Sequence, residues 1–348
     1  MKLTLLCCMA AALMVFYSCK DAGKQKSDTT AMQTDSAVGK IEIYDSRANA
    51  ILDSSATMEV IGRNYTWSEG PVWLASKQML LFTDVPENKI FQWKQGDTPK
   101  VYLTPSGYTD TAKRLGENGA NGLALDKEGR LLLCQSGNRH VSRLNASLDL
   151  PKPVFTVLAA NYNGKKFNSP NDLIVDSKGN IYFTDPIYGL PLHEKDPTRE
   201  LSFEGVYKIN TEGKTILLLD SIHHPNGLAL SPDEKTLYLA SSDSIHPRWF
   251  AYKLDENGNI KTGSILLDGT LMQQKATAKQ GADGFKIDNA GNIFSAGPDG
   301  INIISPEGKL LALIKIYGRR TSNCAFNERK DMLYITADDL VLKMKLHQ

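Results

Sequence analysis

The chain has 348 residues, a formal net charge of +1, 41% hydrophobic and 23% charged residues. So even a charge balance gives no electrostatic case for nucleic acid or an acidic surface as partner. The composition is that of an ordinary globular protein, long enough to bury a large core.

The chain opens MKLTLLCCMAAALMVFYSCK: one early lysine, an apolar run, then Ser18-Cys19. The run is too short to span a membrane and reads as an export signal over residues 1–18. A cysteine after a small residue at its end resembles a bacterial lipoprotein signal, cleaved before Cys19 and lipidated there. The alternative is an ordinary signal peptide with an incidental cysteine. The expected location is the periplasm or cell envelope, the membrane being met only through the anchor at Cys19. Residues 19–40 are polar and without apolar periodicity, so they read as a lipidated, disordered tether ahead of a domain over 41–348. Cys134 and Cys324 sit in strand-like runs of that domain. An oxidising compartment permits a disulfide; two buried free thiols are the other reading.

From Ser68 onward one layout recurs: a polar residue, a short apolar strand, a turn rich in Gly, Asp, Asn or Lys, and a second strand. It starts at SEGPVWL, NGLALDKEGRLLLC, SPNDLIVDSKGNIYFTD, HPNGLALSPDEKTLYLA, DGFKIDNAGNIFSAG and NCAFNERKDMLYITA. The register residues are Glu69, Asn121, Asn171, Asn226, Asp283 and Asn323, spaced by 52, 50, 55, 57 and 40 residues. Such a period fits four short strands with their turns, and helical periodicity is nearly absent. The expected fold is all-β, a six-bladed β-propeller. The last unit has three strand-like runs before the chain ends, and an open ring would leave an edge to pair with other chains. The segment ATMEVIGRNYTW precedes the first unit, and its residues 58–62 are expected to close the ring as the outer strand of the last blade.

In a propeller the innermost strands line the central channel, so equivalent register residues converge on its axis. Capping of six separate local turns is the competing explanation. Glu69, Asn171, Asn226 and Asp283 offer oxygen alone, with two negative charges. That suits a hard divalent cation, Ca²⁺ first, with Mg²⁺ or Mn²⁺ as alternatives. Zn²⁺ normally takes His and Cys but accepts carboxylates.

Taken together, WSEGPVW, SPNDLIVD, HPNGLALSPDEKTLYLA and GADGFKID resemble the senescence-marker-protein/gluconolactonase/luciferin-regenerating-enzyme family. GNRHVSRL and FEGVYKI are similar to its bacterial gluconolactonase-like members, and the resemblance runs over about residues 41–346. It implies a propeller with one catalytic divalent metal near the channel. Glu69 matches the glutamate of the family's EGP motif, Asn226 the asparagine of PNGL, and Asp283 the aspartate of DG. Asn171 matches an asparagine that contacts the metal or the substrate. Asn121 is a further amide, expected to touch substrate, and Asn323 either does the same or caps its strand. His224, ahead of the fourth inner strand, is a further substrate contact. His223 shares the entrance of that strand and is the alternative pocket residue, whereas Arg139 and His140 read more simply as surface or packing residues. Asp172 is expected to point away from its neighbour Asn171 by strand alternation. Ser68 lacks a nucleophile-elbow context.

The implied activity is metal-dependent hydrolysis of a small-molecule substrate, a sugar lactone or similar cyclic ester. Asp283, or else Glu69, would serve as general base. The alternatives are organophosphate or other ester hydrolysis on the same site, and a non-enzymatic ligand-binding propeller with structural Ca²⁺. Native metal, physiological substrate and oligomeric state are not encoded in any motif.

Overall fold

A computed structural model describes residues 37–347. The export signal, Cys19 and most of the tether lie outside the described residues. Six sheets follow one another along the chain, joined by short turns and loops. Their innermost strands are Ser68–Leu74, Leu123–Leu125, Leu173–Val175, Pro225–Leu230, Phe285–Ile287 and Thr321–Phe326. Each continues outward through antiparallel neighbours, which makes blades 1 to 6 of a propeller. A two-stranded hairpin, Asn161–Tyr162 with Lys165–Lys166, leads from blade 2 toward blade 3.

Two segments near the N-terminus join the last two blades. Glu59–Arg63 is the outer strand of blade 6, with Glu59 opposite Lys343. Gly39–Ile43 is a fifth strand on blade 5, with Gly39 opposite Ile316. The tether expected over residues 19–40 is therefore too long at its end, because Gly39 and Lys40 are already strand. The sequence offered only the alternation of KIEIY as a signal, too short to distinguish from a polar leader.

Burial on both faces explains the unbroken apolar runs. In blade 2, Leu131 and Leu133 pack toward Leu81 and Ile90 of blade 1, while Leu132 and Cys134 pack toward Phe183 and Tyr207 of blade 3. Equivalent clusters fill every gap, including the one where Tyr334 and Val341 of blade 6 meet Phe82 and Trp93 of blade 1. Cys134 and Cys324 lie in different clusters and are buried free thiols, so no disulfide joins them.

Side chains of turn residues fix the connections. Asp126, Asp176 and Asp288 each accept two backbone N–H bonds across the first hairpin of their blades. The register residues sit at a different irregularity. Asn121 N–H donates to the Cys134 carbonyl, whereas Cys134 N–H donates to the carbonyl of Gly122. Two residues thus oppose one, as in a β-bulge. The same crossing joins Asn171 and Asp172 to Thr184, and Asp283 and Gly284 to Ala296. The bulge interrupts strict alternation at this point, yet Asp172, as expected, does not join Asn171 in lining the cavity. Its Oδ2 accepts from Asn323 Nδ2, the same amide that reaches Glu69.

Neighbouring inner strands approach so closely that the residue after the register position often has to be glycine. A Cβ on Gly122 would stand 2.7 Å from the Asn171 carbonyl oxygen, and one on Gly227 would overlap the Asp283 carbonyl oxygen. Hydroxyl groups then fasten each blade to the next. Thr83 donates to the Asn121 carbonyl at 3.1 Å, and Thr184 to that of Asn226 at 2.8 Å. Ser136 holds the Pro170 carbonyl at 2.7 Å, Ser242 that of Ala282 at 2.6 Å, and Ser322 that of Ser68 at 2.6 Å.

Gly227→Ala forces its methyl into the backbone of Asp283. It should cost about 1–3 kcal/mol of stability or more and displace the fifth register residue. Urea unfolding should show the loss, with cation binding weakened in the fraction that folds. Unchanged stability and affinity would contradict the packing described.

Candidate active site

The inner ends of the blades enclose a cavity of about 370 Å³. Glu69, Asn121, Asn171, Asn226 and Asp283 all line it, from five different blades. Fifty-odd residues of sequence separate each from the next, and only the ring brings them together.

The hydrogen bonding of this group is incomplete. The Oδ1 atoms of Asn121, Asn171 and Asn226 are shut off from solvent and accept no bond. Native proteins seldom leave such acceptors unpaired. Asn226 Nδ2 donates to Ser242 Oγ at 2.9 Å, which turns its oxygen to the cavity. Asp283 Oδ1 accepts from Gly284 N–H at 3.0 Å. Glu69 Oε2 accepts from Gly70 N–H and from Asn323 Nδ2.

Both carboxyls are held above the usual carboxylate range. Burial is the main cause for each; for Glu69 the next is the nearby charge of Asp172, and for Asp283 that of Glu69. Two buried carboxylates, of which Glu69 raises the proton affinity of Asp283, require either protons or a cation between them. With Asn171 and Asn226 supplying unpaired amide oxygens, the donor set matches a hard divalent ion such as Ca²⁺. The residues present therefore fit the expected metal. Among the described residues no cluster of three His, Cys, Asp or Glu competes for one.

Asn323 lies between Glu69 and Asp172 and is not a lining residue. Its Nδ2 serves both carboxylates, at 3.2 and 3.4 Å, and its Oδ1 accepts from Lys286 Nζ at 3.1 Å. The lysine thus fixes which way the amide faces. Lys286 lowers the proton affinity of both acids, and burial raises it.

His224 is not among the residues lining the cavity. Glu204 Oε2 engages its Nδ1 at 3.2 Å and raises its pKa. Its ring lies 5.3 Å from that of Tyr188, which does line the cavity. His224 therefore backs the wall instead of forming it. Arg139 is structural, donating to the carbonyls of Phe167 and Thr198.

Sequence reasoning missed Glu117, Tyr188, Trp67 and Arg320, all of which line the cavity. Arg320 lies over the Trp67 ring at 4.9 Å. Tyr188 donates its hydroxyl to the Ser242 carbonyl at 3.3 Å. These residues sit in or beside connections that differ from blade to blade, so no repeat register marks them.

An axial cavity ringed by oxygen donors, one from each of five blades, defines a propeller of the small-molecule-binding kind. Comparison with known proteins then places it. The chain belongs to the family described as the SMP-30/Gluconolactonase/LRE-like region, whose model matches residues 67–339. It is 36% identical to a gluconolactonase from Zymomonas mobilis, over 97% of this chain and 96% of that protein. A solved gluconolactonase from Xanthomonas campestris superimposes with a TM-score of 0.74 at 28% identity, covering 91% of this chain and 99% of that one. A regucalcin from Agrobacterium tumefaciens, described as a calcium-binding protein, shares the fold at 17% identity. Its TM-score is 0.62, covering 83% of this chain and 95% of that one.

The raised pKa values give a pH test on the ion-free protein. Acids that bind protons more tightly when folded contribute stability at low pH. That stability is lost as pH rises above the ordinary carboxylate range. In EDTA the melting temperature should therefore fall as pH goes from 5 to 8, and Ca²⁺ should restore it by mass action. Ca²⁺ binding at pH 6 should also release protons, read by calorimetry in buffers of different ionisation enthalpy. Proton-neutral binding would count against the carboxyl pair as the site.

Proposed function

We propose that the chain is a hydrolase that opens a lactone, a small cyclic ester, with the help of one divalent cation, Ca²⁺ first among the candidates. The observation that carries this reading is the meeting of Glu69, Asp283 and the unpaired oxygens of Asn171 and Asn226 in one cavity. Kinship with gluconolactonases supplies the substrate class, and the calcium-binding regucalcin supports the choice of ion.

Glu69, Asn171, Asn226 and Asp283 would hold the ion. When bound, it would supply positive charge to polarise the ester carbonyl and stabilise the developing oxyanion. The chain's own groups do the rest. The cavity size falls within the ~300–1,000 Å³ usual for small-molecule sites. Tyr188 and the Trp67–Arg320 pair wall it, restricting the poses of a ring. Asp283 is assigned as the proton acceptor. Oδ1 is engaged by Gly284 N–H, while Oδ2 takes no bond from the described residues. Water attacks the carbonyl carbon as its proton passes to Oδ2. The ring C–O bond breaks, the proton returns to the departing ring oxygen, and a hydroxy acid leaves.

Purified protein should hydrolyse aldonolactones in a pH-indicator assay, lose the activity in EDTA and regain it with Ca²⁺. Asp283→Asn should lower kcat at least about a hundredfold, the usual minimum for losing a positioned acid–base group, while far-UV circular dichroism stays that of a folded β protein. Full activity after exhaustive chelation would sink the metal-assisted reading. Turnover of a phosphotriester but no lactone would move the substrate class.

We also propose export with lipid attachment at Cys19. Labelled palmitate should mark the wild-type protein in its host and not Cys19→Ser. Equal labelling of both would remove the claim.

A further inference from the structure

The loop ahead of blade 2 carries a carboxylate that this chemistry leaves unused. Glu117 lines the cavity beside Asn121. Its Oε2 is shut off from solvent and accepts no hydrogen bond, and the same holds for Asn121 Oδ1. The Asn121 side chain lies against the Glu117 carboxylate and favours its charged form. Two neighbouring acceptors in the cavity wall are therefore left without donors.

The loop that presents them is built. Arg114 donates from Nη1 to the Glu117 carbonyl and from Nη2 to the Gly189 carbonyl, each at 2.6 Å. That arginine ties the loop to the connection carrying Tyr188. Tyr108 N–H donates to the Asn118 carbonyl at 2.6 Å, and Gly119 N–H to that of Val85 at 2.7 Å. Glu117 is thus held at its own carbonyl by Arg114 and by backbone bonds at the two residues that follow it. The cation site proposed on Glu69, Asn171, Asn226 and Asp283 does not call on it.

What would complete these acceptors is a ligand that brings donors. An apolar ring leaves them unpaired, and a buried acceptor without a partner disfavours binding. A carboxylate or phosphate ligand would meet a like charge. Neutral hydroxyl groups on adjacent ring carbons fit both atoms. We propose that Glu117 and Asn121 form a hydroxyl-recognition subsite, which restricts the substrate to polyhydroxylated lactones with two neighbouring O–H groups. This rests on the lactonase reading. Glu117 is a specificity residue here, and no proton passes through it. Burial pushes its carboxyl up to about 7; a hydroxyl donated to the charged form offsets that cost.

The test uses the Ca²⁺-loaded full chain and two lactones of one ring size: a δ-aldonolactone and unsubstituted δ-valerolactone. 1,5-Anhydroglucitol, the hydroxylated ring without the carbonyl, serves as an inert binding probe for calorimetry. Glu117→Gln keeps the shape and removes the charge, and melting curves confirm its fold. The variant should lose on the order of 10- to 100-fold in kcat/KM on the aldonolactone and less than about threefold on δ-valerolactone, whose ring offers no donor. Affinity for 1,5-anhydroglucitol should fall in parallel. Equal losses on both lactones, or a wild type without preference for the hydroxylated ring, overturn the proposal. If wild type opens neither lactone yet binds 1,5-anhydroglucitol in a Glu117-dependent way, the subsite stands and the lactonase reading fails.

Discussion

Close approach of the inner strands around the axis is the constraint on which the rest of the structure depends. Each strand bulges at its polar residue, and a glycine often follows because the neighbouring backbone leaves no room for a Cβ, as at Gly122 and Gly227. Hydroxyls such as those of Thr83, Thr184 and Ser242 then tie carbonyls of adjacent blades together. The bonds fix backbone, not side chains. The amide and carboxylate groups are thereby delivered to one place while their oxygens stay free. A site built on strands and held from behind keeps its geometry better than one carried on loops.

That delivery has an electrostatic cost. Burial raises the proton affinity of Glu69, Asp172 and Asp283, the charge of Asp172 adds to that of Glu69, and the charges of Glu69 and Asp172 add to that of Asp283. Lys286 and Asn323 offset part of it from below, the lysine orienting the amide and the amide donating to two carboxylates. On the cavity side, where Lys279 and Arg320 also line the wall, no described side chain donates to Asp283, and the unpaired oxygens of Asn171 and Asn226 add to the deficit. Local destabilisation of this sort is common where a protein is shaped for a ligand it has yet to bind.

Much of this was legible before any coordinates. The repeat located Glu69, Asn121, Asn171, Asn226 and Asp283 because a propeller converts equal register into equal position on the axis. Gly after Asn or Asp was legible too, although its reason, contact with the next blade, was not. Asp172 was read as turned away from its neighbour Asn171, and it does stay out of the cavity lining, although its bond to Asn323 was not legible. His224 was misplaced because its position ahead of a strand says nothing about which way a ring turns. Glu117, Tyr188 and Arg320 left no trace in the pattern. They lie in connections of unequal length, and only tertiary contacts such as Arg114 with the Gly189 carbonyl decide where those connections go. The strand Gly39–Ile43 escaped for a related reason: five residues on a sheet edge need no apolar run.

The pairing of Glu59–Arg63 with blade 6 and of Gly39–Ile43 with blade 5 has a consequence for synthesis. Both segments are synthesised before blades 1 to 4, and their partners after them. Every blade from 1 to 4 has all its strands in hand as it emerges, so each is free to form in turn. The two final blades are composites of segments that lie before and after the other four. Their assembly is a long-range closure, of the kind that slows folding. Until it happens the nascent protein carries unpaired strand edges at both ends of an open arc. A chain released early, short of its last strand, would keep the residues of the cavity wall and lack the clasp that joins its two ends.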